Sequence, residues 1–441
     1  GEPTRYSYTS LYRIPWIRPC AASVGSGHEP HPGVALRHRV WRPHRRNARP
    51  SRPLLSPTMN DAADLDPEDA ERLGTEPTRS SRDPAVLQER LERWLQGVVA
   101  DPAARVGPID VPSGSGMSSE TLLFDARWTD DAGPHDEALV ARVEPAAEDV
   151  PVFPDYDLEL QFRLLRLVAQ HSDVPVPVAR WLEQDEQHLG SPFFVMNRVT
   201  GRVPADIPPY VFEGWLLDAD EADQRALQDH SVAVLAALHD IDIADLDVTF
   251  LHSRAPGDSA LRQQMNHQRW FYDWTRGERR HPIVDTAFEW LETNWPEESP
   301  SVISWGDARI GNIMYTPGGF DPVAVFDWEM ATIGPAELDV GWMIFLHSFF
   351  QNIAEVLGLG GMPSFMRRAD VAATYEARRG VRLRDLHWYE VFAATRHAII
   401  MSRIRDRQVR FGEAEWPDDV DEAIPHRELL RSMLETGAET T

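Results

Sequence analysis

SWGDARIGNIMYTPGGFDPVAVFDWEMATIGPAELDVGW, residues 304–342, carries an aspartate at 307, an asparagine at 312 and a second aspartate at 327. Ile313–Tyr315 and Val323–Phe326 read as two short strands. Between them lies TPGGFDP, a turn rich in proline and glycine. Folded symmetrically about Gly319–Phe320, this hairpin sets Asn312 opposite Asp327 across an antiparallel pair. Asp307 stands just before it, in a loop after the strand-like VIS. Asp327 interrupts an apolar run, AVF-D-W, a setting foreign to a solvated turn residue. One carboxylate to take a hydroxyl proton, with an amide oxygen and a second carboxylate to hold Mg²⁺ against nucleotide phosphates, is the set that phosphoryl transfer uses.

The D-x-x-x-x-N spacing is that of a protein-kinase catalytic loop. The whole stretch resembles the H-G-D-x-x-x-x-N and I-D-W-E motifs of the aminoglycoside phosphotransferase and choline-kinase-like family. It is especially similar to the branch that includes kinase-like domains fused to some acyl-CoA dehydrogenases. Arg309 and Gly311 fit that branch's D-x-R-x-G-N variant. The resemblance implies that Asp307 is the catalytic aspartate and that Asn312 and Asp327 are metal ligands. Asp339, in ELDVGW, resembles the aspartate of the family's D-L-A-W segment, a structural position beside the catalytic loop. One departure is Trp305, where the family usually has histidine.

Upstream, the order of segments is that of a kinase N-lobe. Residues 83–99 read as an amphipathic helix with Leu87, Leu91, Trp94 and Leu95 on one face. SGSGMSSE, residues 113–120, precedes the strand TLLFDARW. A polar turn, the strand ALVARVE, a helix over 158–169, and the strands VPVPVARWLE and PFFVMNRV follow. Ser113, Ser115, Gly116 and Ser118 are candidates to cradle phosphates through backbone N–H groups and hydroxyls. Kinases hold the α/β-phosphates with a cation on the following strand. The chain has no lysine, all 44 basic residues being arginine, and Arg142 takes that place. Gln161 falls where the resemblance expects the partner glutamate, with Glu159 two residues earlier. Two residues turn a helix by about 200°, so only one of the two can face Arg142. Met196 to Val199 resembles the hinge that offers backbone groups to adenine, which makes Met196 and Arg198 nucleotide-site candidates.

Composition bounds the rest. The 441 residues carry a net charge of −26, which argues against a nucleic-acid partner. No apolar run approaches the roughly 18 residues of a membrane span. The single cysteine, Cys20, excludes an internal disulfide and agrees with a reducing cytoplasm. Residues 1–58 hold ten arginines and two acidic residues, with no apolar periodicity. They read as a basic targeting arm or as translated upstream sequence foreign to the natural protein, and as disordered in either case. An acidic linker over 59–83 follows. From 209 on, helices dominate, with one stripe of Leu227, Val234, Leu235 and Leu238 and another of Trp388, Phe392, Thr395 and Ile399.

The expectation is therefore an α+β, bilobal, protein-kinase-like fold. A small β-rich N-lobe over 84–204 binds nucleotide, and a larger, mostly helical C-lobe over 205–441 carries the catalytic hairpin. The activity implied is ATP-dependent, Mg²⁺-assisted phosphorylation of a small-molecule alcohol by a cytoplasmic enzyme. The rival is a non-catalytic kinase-like binding module, which Trp305, Gln161 and the absence of lysine favour. A hydrolase is disfavoured, because no G-x-S-x-G elbow is present.

Overall fold

The computed structural model describes residues 83–112, 119–145 and 150–436. The segment 1–58 and the loop with Ser113, Ser115, Gly116 and Ser118 lie outside the described residues.

Helix α1, Pro84–Val98, starts where proline's fixed φ suits the first turn and where Asp83 accepts from the Ala85 N–H at 2.9 Å. Leu87, Leu91, Trp94 and Leu95 are its buried residues, as their spacing requires. Each such burial is worth about 1.5–3 kcal/mol. They pack against an antiparallel sheet of five strands: β1 Arg105–Val106, β2 Glu120–Asp130, β3 Gly133–Val143, β4 Ala179–Glu183 and β5 Phe193–Asn197. The strand order is β1-β2-β3-β5-β4.

The polar turn expected after Trp128 is instead paired strand almost to its tip. β2 and β3 stay in register from Glu120↔Val143 to Asp130↔Gly133. Cross-strand contacts compensate for the polarity there: Arg127 pairs with Asp136 at 2.9 Å, and Trp128 stacks on His135 with ring centroids 4.6 Å apart. Helix α2, Leu158–His171, is capped by Asp157, which accepts from the Leu160 N–H at 2.8 Å. It lays Phe162 against Phe194 of β5.

After β5 the chain approaches the catalytic hairpin closely. Arg202 and Tyr315 exchange backbone hydrogen bonds of 2.9 and 2.8 Å. Gly201 permits this, since a Cβ there would lie 2.4 Å from the Tyr315 carbonyl oxygen. The Arg202 guanidinium lies 3.8 Å over the Trp215 ring and donates to the Gly319 carbonyl at 2.8 Å, which ties down the hairpin tip.

Helices α3 Glu221–His239, α4 Ala260–Arg276 and α5 Pro282–Thr293 lead to four short strands: β6 Ser301–Ser304, β7 Ile313–Tyr315, β8 Pro322–Val325 and β9 Thr332–Pro335. β6 pairs with β9, and β7 with β8. Then come α6 Glu337–Val356, α7 Arg368–Arg379, α8 Leu386–Arg410 and α9 Arg427–Thr436. The apolar run 340–350 makes α6 a core helix, buried on nearly every side over 337–347. Gly341 lets α8 come close, because a Cβ there would meet the Tyr389 backbone at 2.9 Å. Both leucine- and tryptophan-rich stripes read from the sequence are buried, on α3 and α8. The architecture is the expected α+β bilobal one. No helix among the described residues is long and apolar enough to cross a membrane.

Candidate active site

Asp307 is delivered by a loop that the core holds from behind. Asp339, at the start of α6 and fully buried, accepts four hydrogen bonds. Its Oδ1 takes the Ser304 hydroxyl and the Gly306 N–H, both at 2.8 Å. Its Oδ2 takes the Trp305 N–H at 2.7 Å and His239 Nε2 at 3.0 Å. Gly306 turns the chain with φ +88°, and a Cβ there would lie 2.1 Å from the Met330 carbonyl oxygen. Only glycine fits. Trp305, the departure from the family's histidine, is wholly buried. Its indole N–H reaches the carbonyls of Phe326 at 2.8 Å and Asp327 at 3.1 Å, so it ties the Asp307 loop to the segment that carries Asp327.

The structure brings Asp307 and Asn312 into direct contact. Asn312 Nδ2 donates to Asp307 Oδ2 at 2.7 Å and to its carbonyl at 3.1 Å. With the amide nitrogen spent there, the amide oxygen is the group Asn312 has for a cation. The hairpin register differs by one residue from the symmetric fold expected. Ile313 pairs with Val325, and the Phe326 N–H donates to the Asn312 carbonyl at 2.9 Å. Asn312 therefore faces Phe326, and Asp327 stands one residue past the ladder with φ +54°. A bulge at Met314/Tyr315 absorbs the odd residue that the sequence cannot reveal. An amide oxygen and a carboxylate on adjacent backbone, both oxygen donors, match what Mg²⁺ takes beside phosphates.

Arg142 on β3 reaches across to this hairpin. Its Nη2 meets Asp327 Oδ1 at 2.8 Å and its Nη1 meets the Thr121 hydroxyl at 3.1 Å. Neither helix candidate pairs with it. Gln161 is buried with its Nε2 unbonded, while Glu159 is exposed and accepts from Gln184 at 2.6 Å. Met196 lies in β5 between Val140 and Ala179. The Arg198 N–H is committed to the Ala138 carbonyl at 2.9 Å and its guanidinium to Asp125.

Three residues at the site escaped the sequence reading as side-chain contacts. Trp342 donates its indole N–H to Asp307 Oδ1 at 2.8 Å. Arg309 bonds Asp307 Oδ2 at 3.1 Å and pairs with Asp206. Burial alone would disfavour the Arg309 charge, but Asp206, Asp307 and Asp327 around it hold its pKa above the ordinary value. Arg396 on α8 donates to the Gly306 carbonyl at 2.8 Å. Trp342 and Arg309 stood inside quoted motifs, but nothing local tied either to Asp307. Beside the Asp206–Arg309 pair lies a small pocket walled by Tyr210, Met343, Leu346 and Phe350.

Comparison with known proteins places the chain in a family. Residues 126–387 match the model of the phosphotransferase enzyme family known as APH. The mouse acyl-CoA dehydrogenase family member 10 is 26% identical over 270 residues, 61% of this chain and 23% of that protein. The chicken acyl-CoA dehydrogenase family member 11 is 27% identical over 285 residues, 64% of this chain and 33% of that protein. The chain thus spans about a quarter to a third of the length of these relatives. A crystal structure from Ralstonia eutropha JMP134, provisionally assigned as an aminoglycoside phosphotransferase, superposes with a TM-score of 0.56 at 25% identity. It covers 80% of this chain and 98% of that one. With its family model matched over more than half its length, and with the bilobal fold in place, this chain belongs to the phosphotransferase enzyme family.

Proposed function

We propose that the chain is an ATP-dependent, Mg²⁺-assisted kinase of a hydroxyl group on a small molecule. The observation that carries this is the cluster itself: Asn312 bonded to Asp307, and Asp327 beside Asn312 and paired with Arg142 from the sheet. Asp307 orients the acceptor hydroxyl and takes its proton as the oxygen attacks the γ-phosphorus. The bond from that phosphorus to the β–γ bridging oxygen breaks, and ADP leaves. A loose transition state asks for little base strength, so positioning dominates. Asn312 and Asp327 would hold Mg²⁺, which when bound neutralises charge on the β/γ-phosphates. Arg142, with its second N–H on Thr121, would pass from Asp327 to a phosphate. The 84–204 part then serves as the nucleotide lobe, with the loop of Ser113, Ser115, Gly116 and Ser118 and the strand of Met196 and Arg198 around ATP. The 205–441 part supplies the catalytic hairpin and the acceptor pocket.

A second reading, a non-catalytic nucleotide or metabolite binding module, is favoured by one observation. The Asp327 carboxylate is already engaged by Arg142, and among the described residues neither Glu159, bonded to Gln184, nor Gln161 on α2 draws that cation away. Thermal shift with ATP, with and without Mg²⁺, coupled to a phosphate-uptake screen of hydroxylated metabolites, separates the two. Metal-dependent stabilisation with turnover supports the kinase. Metal-independent binding without turnover supports the module.

A further inference from the structure

Asp307 presents two carboxylate oxygens, and their loading is unequal. Oδ2 receives Asn312 Nδ2 at 2.7 Å and Arg309 Nε at 3.1 Å. Oδ1 receives the Trp342 indole N–H at 2.8 Å. The terminal torsion of an aspartate is broad and roughly two-fold, so the side chain does not fix its own carboxylate plane. Donors on both oxygens must do so.

Trp342 is suited to this. It is 3% exposed and sits three residues after Asp339 on α6, hence on the same helix face. One turn of α6 therefore grips the loop backbone through Asp339 and the reacting side chain through Trp342. The indole N–H is a donor only and cannot exchange roles. Its ring is held in turn. The Arg396 guanidinium lies 4.5 Å from the ring centroid, and its Nη2 donates to the carbonyl of Gly306, the residue before Asp307. Arg396 is 7% exposed and has no carboxylate partner among the described residues. Burial pushes its pKa down to about 10, with Asp307 and Asp339 opposing the fall, so it keeps its charge near neutral pH. A buried cation without an acid partner is costly. The indole face and the Gly306 carbonyl are what it holds.

We infer that Trp342 is a positioning residue for phosphoryl transfer: its indole N–H fixes the Asp307 carboxylate so that one oxygen faces the acceptor hydroxyl, and Arg396 braces the indole. This rests on the role proposed for Asp307.

The test joins kinetics to a direct probe of the bond. With Mg-ATP alone, basal hydrolysis reads the site with water as acceptor. Trp342→Phe keeps an aromatic ring and loses the donor. Its turnover should fall about tenfold to a hundredfold, the scale of one hydrogen bond to a charged group, with the KM for ATP within about twofold of the parent. In an Asp307→Asn background the same change should cost less than about twofold, since the group being positioned is gone. Separately, the ¹H–¹⁵N indole resonance that vanishes in Trp342→Phe should shift in Asp307→Ala. A resonance unmoved by Asp307→Ala overturns the bond whatever the kinetics. Parental turnover in Trp342→Phe beside a crippled Asp307→Asn overturns the positioning role and leaves the catalytic site standing. Parental turnover in Asp307→Asn takes down the site reading and this inference together.

Discussion

Replacing Asp339 by asparagine tests how the active-site loop is held. The carboxylate is fully buried and accepts four hydrogen bonds, two on each oxygen. Because a carboxylate only accepts, His239 must donate from Nε2. Its Nδ1 lies 2.7 Å from the Tyr375 hydroxyl. Asparagine keeps one oxygen and turns the other into an NH₂ group facing two donors. Whichever way the amide points, one buried backbone N–H, that of Gly306 or Trp305, loses its acceptor and meets another donor, and its neighbour, the Ser304 hydroxyl or the His239 ring, must turn from donor to acceptor. The orphaned donor costs about 1–3 kcal/mol, so the loss should be about 2 kcal/mol, a sizeable part of the roughly 5–15 kcal/mol that holds a folded domain. Equilibrium urea unfolding followed by far-ultraviolet circular dichroism should show a lower midpoint at an unchanged slope. Turnover should fall with it, since Asp307 rides on the same loop. A loss below about 1 kcal/mol would refute the claim that Asp339 is the anchor of that loop.

Four further outcomes follow from the same geometry. Asp327→Ala should abolish Mg²⁺-dependent nucleotide binding, whereas Asn312→Ala should weaken it less while also lowering turnover through the lost bond to Asp307; calorimetric titration with Mg-ATP gives the order, and a reversed order defeats the ligand assignment. Arg142→Ala should lower ATP affinity about tenfold and also destabilise the protein by about 1–3 kcal/mol, because Asp327 loses its partner in a mostly buried pair; unchanged ATP affinity rules out a phosphate role. Gly306→Ala should cost about 3 kcal/mol from a forbidden φ and a Cβ pressed on the Met330 carbonyl, and a melting temperature equal to the parent's would contradict the loop geometry. Burial holds the His347 and His426 pKa values down to about 4. Their stabilising effect is complete above the unfolded value near 6.5 and is lost as pH falls from there towards 4, up to about 3 kcal/mol for each; urea midpoints that stay flat between pH 7 and 5 would disprove this.

What the sequence determined by itself was local and periodic. The four apolar residues of α1 recur at helical spacing, and burial of that face needs no knowledge of what it meets. The apolar run in α6 is long enough to make a core helix in any compact setting. Asp307, Asn312 and Asp327 lie within 21 residues, so a single hairpin suffices to gather them, and their types and order are those that phosphoryl transfer uses. Within that hairpin the register was already beyond reach, because a bulge is decided by the ladder and by what packs on it. The polar residues from Thr129 to Glu137 read as a turn, yet all but Asp131 and Ala132 at the tip pair as strand, since cross-strand partners outweigh weak intrinsic preference. Contacts between distant parts of the chain were decided by tertiary structure alone. Arg142 meets Asp327 from 185 residues away, Trp342 meets Asp307 across 35, and Arg396 meets Gly306 across 90. A hydrogen bond depends on two groups arriving within about 3 Å in the right direction. Only the packing of the sheet, α6 and α8 around the loop brings those groups together.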